Sequence, residues 1–167
     1  MFPLNKKDKE EQELSMLVVQ ALEVSVLLDK FPKSVIDIFI IVLESDGGNN
    51  LLLYITYALN KGVLNAAITC SSLALADAGI ECYDLVASTS VAFTKTSDLL
   101  LDPVKNEEEI CKSKLTVSYM PSVNEITQVF QQGETEISLA QQAIDLAIDA
   151  AAKIYLLMRN ALIISQK

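Results

Sequence analysis

Apolar positions along this chain follow two rhythms, one near the 3.6 residues of a helix and one near the 2 of a strand, in successive blocks. Leu14, Leu17, Val18, Ala21, Leu22, Ser25 and Leu28 recur at helical spacing. They follow Asp8, Glu10, Glu11 and Glu13, acids that suit a helix N-terminus. The pattern predicts a helix from about Asp8 to Lys30, ended by Phe31-Pro32. Val35 to Leu43 is β-branched and almost continuously apolar, as in a strand covered on both faces, with Asp37 near its start as a solvated edge. Ser45-Asp46-Gly47-Gly48 then turns the chain, and a helix of small residues that includes Val63 to Ala78 stops at Gly79. The intervening segment, Asn49 to Gly62, differs in kind. Asn, Leu, Tyr, Ile and Lys dominate it, its boundaries are abrupt, and its centre from Leu51 to Leu59 has the pattern of a helix.

The second half is strand-rich until its last stretch. Leu85 to Phe93 reads as a strand with Ser88, Thr89 and Ser90 at its centre, and a short strand near Leu99 to Leu101 leads into Asp102-Pro103. Glu107-Glu108-Glu109 falls on a turn or short helix. Lys114 to Met120 and Glu125 to Gln131 alternate as paired strands joined by Pro121-Ser122-Val123-Asn124, and Gly133 closes this part. The last helix runs to about Ser165, capped either by Thr135 or by Ser138 with Gln141 in a capping box. Ile137, Ala140, Ile144, Ala147, Ile148, Ala151, Ile154, Tyr155 and Met158 mark its core face. The predicted class is α+β, a mixed sheet with the long helices packed on one side.

Composition sharpens this picture. The 167 residues suffice for one domain with a real core, and 51% are hydrophobic, so either the core is large or apolar surface meets a partner. The longest apolar runs, Ile38 to Leu43 and Leu51 to Ile55, fall short of the ~20 residues needed to cross a bilayer, and no secretory leader is recognisable. A net charge of -9 argues against holding nucleic acid unaided. With no His and with Arg159 as its single arginine, the chain cannot assemble the usual zinc sets or most phosphate clamps. Cys70, Cys82 and Cys111 have no metal or redox spacing and are expected as reduced thiols of a cytosolic or nuclear protein.

Two stretches carry candidate chemistry. The Gly47-Gly48 pair permits backbone angles and approaches that a Cβ blocks, but it lacks the Lys and Ser/Thr of a phosphate loop; a plain tight turn is the first reading and a phosphate cradle the second. The Ser88-Thr89-Ser90 hydroxyls either meet a ligand or satisfy themselves against the sheet.

Taken in order, Ile36-Asp37-Ile38, Ser45-Asp46-Gly47-Gly48, Ser72-Leu73-Ala74-Leu75-Ala76-Asp77-Ala78-Gly79 and Tyr83-Asp84-Leu85-Val86 resemble the RNase PH-like family, which contains phosphorolytic 3'-to-5' exoribonucleases and the ring subunits of the RNA exosome. Leu100-Leu101-Asp102-Pro103, Glu107-Glu108-Glu109, Leu115-Thr116-Val117, Met120-Pro121 and Asn124 look most like the messenger-RNA-transport-regulator type of ring subunit. The resemblance implies the C-terminal portion of an RNase PH-like fold (ribosomal protein S5 domain 2-like) over residues 8–167, without the family's β-rich first half and with an insertion at 49–62 encoded by a retained intron or particular to the lineage.

It also implies where a site would lie. In active members an arginine flanked by Thr or Ser after the glycine turn holds the attacking phosphate; here the turn Asp46, Gly47, Gly48 is followed by Asn49-Asn50 or, with the insertion removed, Val63-Leu64-Asn65. The family's two acids six residues apart correspond to Asp102 and Glu108, the second usually an Asp. The resemblance therefore implies a catalytically degenerate ring subunit with no cofactor and no metal. Its implied partners are other RNase PH-like exosome subunits and a cap subunit, with RNA contacted only through the assembled ring. Nuclear, nucleolar and cytoplasmic location and self-association of the isolated chain are further expectations. An active phosphorolytic exoribonuclease is the alternative.

Overall fold

Residues 6–42, 63–108 and 110–165 are described by the computed structural model. The helical rhythm of the first block forms α1, Lys6–Glu23. It stops about two turns before the predicted end at Lys30, because the following residues pair elsewhere. Ser25 Oγ donates to Leu22 O at 2.7 Å, the Leu27 amide donates to Glu81 O at 3.0 Å, and the Tyr83 amide donates to Ser25 O at 2.7 Å. Val26 and Cys82 thus form an isolated antiparallel bridge, and a single 3-10 turn, Leu28–Lys30, follows.

The small-residue helix is α2, Val63–Asp77. Gly79 ends it with φ +74°, and the Ile80 amide reaches back to Leu75 O at 3.0 Å, the closing bond of a helix that stops at a left-handed residue. Then come β1 (Ala87–Phe93), β2 (Leu99–Leu101), α3 (Lys105–Glu108), β3 (Ser113–Met120), β4 (Glu125–Gln132) and α4 (Ile137–Ser165). The sheet order is β2-β1-β3-β4 and every described pairing is antiparallel, which corrects the expectation of a mixed sheet. Gly133 has φ +81°, and a Cβ there would come within 2.7 Å of Lys112 O, so the turn out of β4 requires glycine.

The long helices do not share one side. Val91, Phe93, Leu115 and Val117 alternate onto one face of the sheet and pack on Ala143 and Ala147 of α4. Val86, Met120 and Phe130 belong to a second cluster with Val18, Ala21 and Leu22 of α1 and Leu64, Ala67 and Ile68 of α2. On that face Gln128 Nε2 of β4 donates to Leu17 O of α1 at 3.2 Å. The sheet is therefore covered on both faces, which is why every residue of β1 is buried. The buried residues of α4 are mainly alanines, Ala143, Ala147, Ala150 and Ala151, whereas Ile137 at its start is exposed rather than in the core. Thr135 joins its hydroxyl to that of Ser113.

Two expectations fall elsewhere. The run Val35–Val42 is not a strand among the described residues, since extended backbone becomes a strand only when another segment pairs with it and none of the described ones does. Asp46, Gly47, Gly48 and the proposed insertion at 49–62 lie outside the described residues. No helix among those described is long and apolar enough to cross a membrane.

Candidate functional site

Strand β2 covers only part of the β1 edge, pairing Val91–Phe93 with Leu99–Leu101. Beyond it the amides of Val86 and Ser88 point outward from the sheet, and α2 meets them. Ser72 Oγ accepts from the Val86 amide at 2.8 Å and Thr69 Oγ1 accepts from the Ser88 amide at 3.2 Å. Side-chain oxygens on a helix thus take the place of a strand's carbonyls. Asn65, one turn earlier on the same helix face, accepts from Ser88 Oγ at 3.3 Å through Oδ1. Its Nδ2 is buried with no partner among the described residues.

An open cavity of about 570 Å³ lies where α2, β1, the end of β2 and α4 converge. Asn65, Thr69, Ser88, Asp102 and Lys153 supply its polar lining. Asp102 is exposed, directly follows β2, and has φ +48°, a left-handed conformation that Asp tolerates better than most residues. Its backbone is fixed because its amide continues the β2–β1 pairing, donating to Ser90 O at 2.9 Å. Lys153 stands on α4 and pairs with Asp149 Oδ2 at 2.7 Å in solvent.

Glu108 is placed differently. Its carboxylate forms an ion pair with Lys114 of β3, and the two side chains retain only 11% and 13% of their exposure. Glu108 does not line the cavity that Asp102 lines. Within the same acidic run Glu107 turns back to accept the Val104 amide at 3.0 Å, capping α3. Glu107 and Glu108 are therefore divided between a cap and an ion pair.

Most of the hydroxyl cluster is satisfied internally. Thr89 Oγ1 donates to Ala147 O at 3.0 Å, tying β1 to α4, and Ser118 Oγ donates to Ser88 Oγ at 3.1 Å. Ser90 Oγ is buried without a partner among the described residues. Of the thiols, Cys70 is exposed at the cavity wall. Burial pushes the Cys82 thiol above its ordinary pKa; burial, then the carboxylates of Glu108 and Glu107, do the same for Cys111. Neither is an activated nucleophile. No group of three or more acidic, Cys or His side chains among the described residues is arranged to hold a metal.

The cavity can accept a hydrogen bond or proton at Asp102 and donate one from Asn65. For a phosphate's charge it offers, among the described residues, Lys153, already beside Asp149. Thr69 and Ser72 were participants that reading the sequence missed, and Asn65 was reached only through the family resemblance. Their spacing of i, i+4 and i+7 within an otherwise Ala- and Leu-rich helix was the available sign.

Comparison with known proteins places the same two blocks side by side. The family model described as 3' exoribonuclease family, domain 1, matches residues 3–81, and that for domain 2 matches residues 84–154. The exosome complex component RRP41-like protein of Arabidopsis thaliana is 37% identical over 153 residues, covering 92% of this chain and 54% of its own length. The exosome complex component mtr3 of Schizosaccharomyces pombe is 34% identical over 160 residues, covering 94% of this chain and 58% of its own. The chain thus spans about half the length of these relatives. The crystal structure of rice (Oryza sativa) Rrp46 superimposes with a TM-score of 0.74 at 21% identity, over 100% of this chain and 70% of that one.

Proposed function

We propose, from the premise that this chain belongs to the 3' exoribonuclease family, that it is a non-catalytic subunit of an RNA exosome ring. In that role it supports 3'-to-5' RNA processing and degradation. The observation that carries the loss of catalysis is the separation of the two acids: Asp102 lines the cavity while Glu108 is bound to Lys114 away from it. The sequence supports the same reading, since Val63-Leu64-Asn65 enters α2 without an arginine to hold an attacking phosphate. The degenerate turn Asp46, Gly47, Gly48 would then mark descent rather than activity.

The partners in this reading are other RNase PH-like subunits and a cap subunit, RNA being met only in the assembled ring, in nucleus, nucleolus and cytoplasm. Within the ring we assign the messenger-RNA-transport-regulator type. Its support is the motif set around Leu100-Leu101-Asp102-Pro103. Residues 49–62 are assigned as an insertion, which sequencing of the mature transcript tests. In isolation the chain self-associates.

A second reading, an active phosphorolytic exoribonuclease, is favoured by Asp102 lining the same open cavity as Asn65, whose Nδ2 has no partner among the described residues. Incubating the purified chain with 3'-labelled single-stranded RNA and phosphate separates the two. The ring-subunit reading expects no nucleoside diphosphate; phosphate-dependent release that disappears in Asp102→Asn overturns it.

A further inference from the structure

The three thiols sit in different surroundings. Cys82 and Cys111 are half-buried, and burial pushes both above their ordinary pKa. Cys70 is exposed, and of the three it alone lines the cavity between α2, β1 and α4. A second feature of that wall points to a ligand. Asn65, on the same helix, is only 7% exposed, and its Nδ2 has no hydrogen-bond acceptor among the described residues. A buried amide left without an acceptor costs free energy that a ligand oxygen recovers.

Two opposite charges complete the wall. Asp102 lines the cavity with a carboxylate that makes no hydrogen bond or ion pair among the described residues. Lys153 lines it with an ammonium of three donors, one of them given to Asp149 Oδ2 at 2.7 Å. The cavity thus offers an acceptor for a cation, two kinds of donor for an anion, and a thiol. Its volume of about 570 Å³ lies in the range of pockets that hold small molecules.

We propose that this cavity receives a small disulfide bearing an α-amino-acid end, and that Cys70 takes half of it as a mixed disulfide. The ammonium of that end meets Asp102, and its carboxylate meets Asn65 Nδ2 and Lys153. The Cys70 thiolate attacks one sulfur of the reagent. The bond from Sγ to that sulfur forms, the reagent's own S–S bond breaks, and the expelled thiolate takes up the proton that Cys70 gave away. Cys70 is oxidised and the departing half is reduced, with no other reactant. This modification site is independent of the ring assignment. The same end group occurs on cystine and on the γ-glutamyl residue of oxidised glutathione.

Timed exposure of the 167-residue chain to one disulfide, followed by acid quench and peptide mass spectrometry, measures the rate at Cys70. Cystine and oxidised glutathione carry both charges, cystamine only the ammonium, and dithiodiglycolate only the carboxylate. Each rate is divided by that of the same chain in urea, which cancels the reagent's intrinsic reactivity. The better of the two doubly charged reagents, which thereby names the source, is expected to exceed both singly charged ones by about fivefold, the upper end for one exposed charge contact. Asp102→Asn or Lys153→Gln lowers its ratio by a similar factor, whereas Lys95→Gln, exposed between β1 and β2, leaves it unchanged. Asp102 and Lys153 are exposed, so both variants are expected to keep the parent's urea midpoint; should one unfold, the other carries the test. A singly charged reagent that matches the best doubly charged one makes Cys70 an ordinary exposed thiol and overturns the proposal. A preference that survives both substitutions, or adducts that form first at Cys82 or Cys111, overturns it as well.

Discussion

Replacing Lys114 by Met removes the cation that holds the Glu108 carboxylate against β3 and leaves that carboxylate facing a largely closed environment. The magnitude follows from the burial of the pair. Exposed ion pairs contribute about 0–1 kcal/mol, while removing one member of a fully buried pair costs about 3–5 kcal/mol. With 13% and 11% of their exposure left, Lys114 and Glu108 lie nearer the second case but keep a route to water. The expected cost is about 2 kcal/mol, which for a chain of this size lowers the melting temperature by about 4–8 °C. Glu107 and Cys111 lie close to the orphaned acid, and neither supplies a positive charge. Urea unfolding followed by far-UV circular dichroism gives the cost from the shift in midpoint at constant slope. The companion variant Glu108→Gln/Lys114→Met, which leaves neither charge buried, should recover more than half of the loss. A Lys114→Met midpoint within 0.5 kcal/mol of the parent, or a double variant no better than the single one, refutes the view that Glu108 is engaged as a structural tie.

Three further outcomes are expected. Ile68→Ala empties a fully buried position between α1, α2 and the sheet and should cost about 3 kcal/mol in the same assay. Ser72→Ala strands the Val86 amide at the β1 edge; a loss of about 1–2 kcal/mol, with faster hydrogen exchange at Val86 than at Val117, is the measurable consequence. Alkylation at neutral pH should modify Cys70 first, with Cys82 and Cys111 slow. For these two the folded pKa lies above the unfolded one, so the stability they contribute is complete below the ordinary thiol range of about 8.5. It falls as pH rises through that range, and the urea midpoint should decline from pH 8 towards 10 unless both are replaced by Ala.

Strands β3 and β4 were legible because their alternation is local and only the four residues Pro121 to Asn124 separate them. The last helix was legible in extent and, at Ala147, Ala151 and Met158, in orientation. Ile137 at its start is exposed instead, and Ala143 and Ala150 complete the buried face. The two-sided burial of β1 was hidden by its hydroxyls. Ser88, Ser90, Thr116 and Ser118 look like a wetted face, yet all are buried; Thr69 and Asn65 of α2 meet the Ser88 amide and hydroxyl, and Ser118 Oγ donates to Ser88 Oγ. Val35 to Val42 misled in the opposite way, its apolar continuity describing a preference for pairing rather than a partner. At the candidate site, the sequence placed Asp102 at a strand end but gave no sign that Lys114 engages Glu108. That pairing depends on how α3 folds back over the start of β3.

The hydroxyls of Thr69 and Ser72 have a mechanical consequence. Two oxygens three residues apart on a helix meet two amides two residues apart on a strand, and only one rotation and one axial position of the helix bring both into range. They act as two pins in a plate, removing the roll and the slide of α2 together. Asn65 is carried on the same rigid rod, so the floor of the cavity is held in place by the seam between helix and sheet, with no call on any occupant. Its shape is therefore set by that seam whether the cavity is filled or empty.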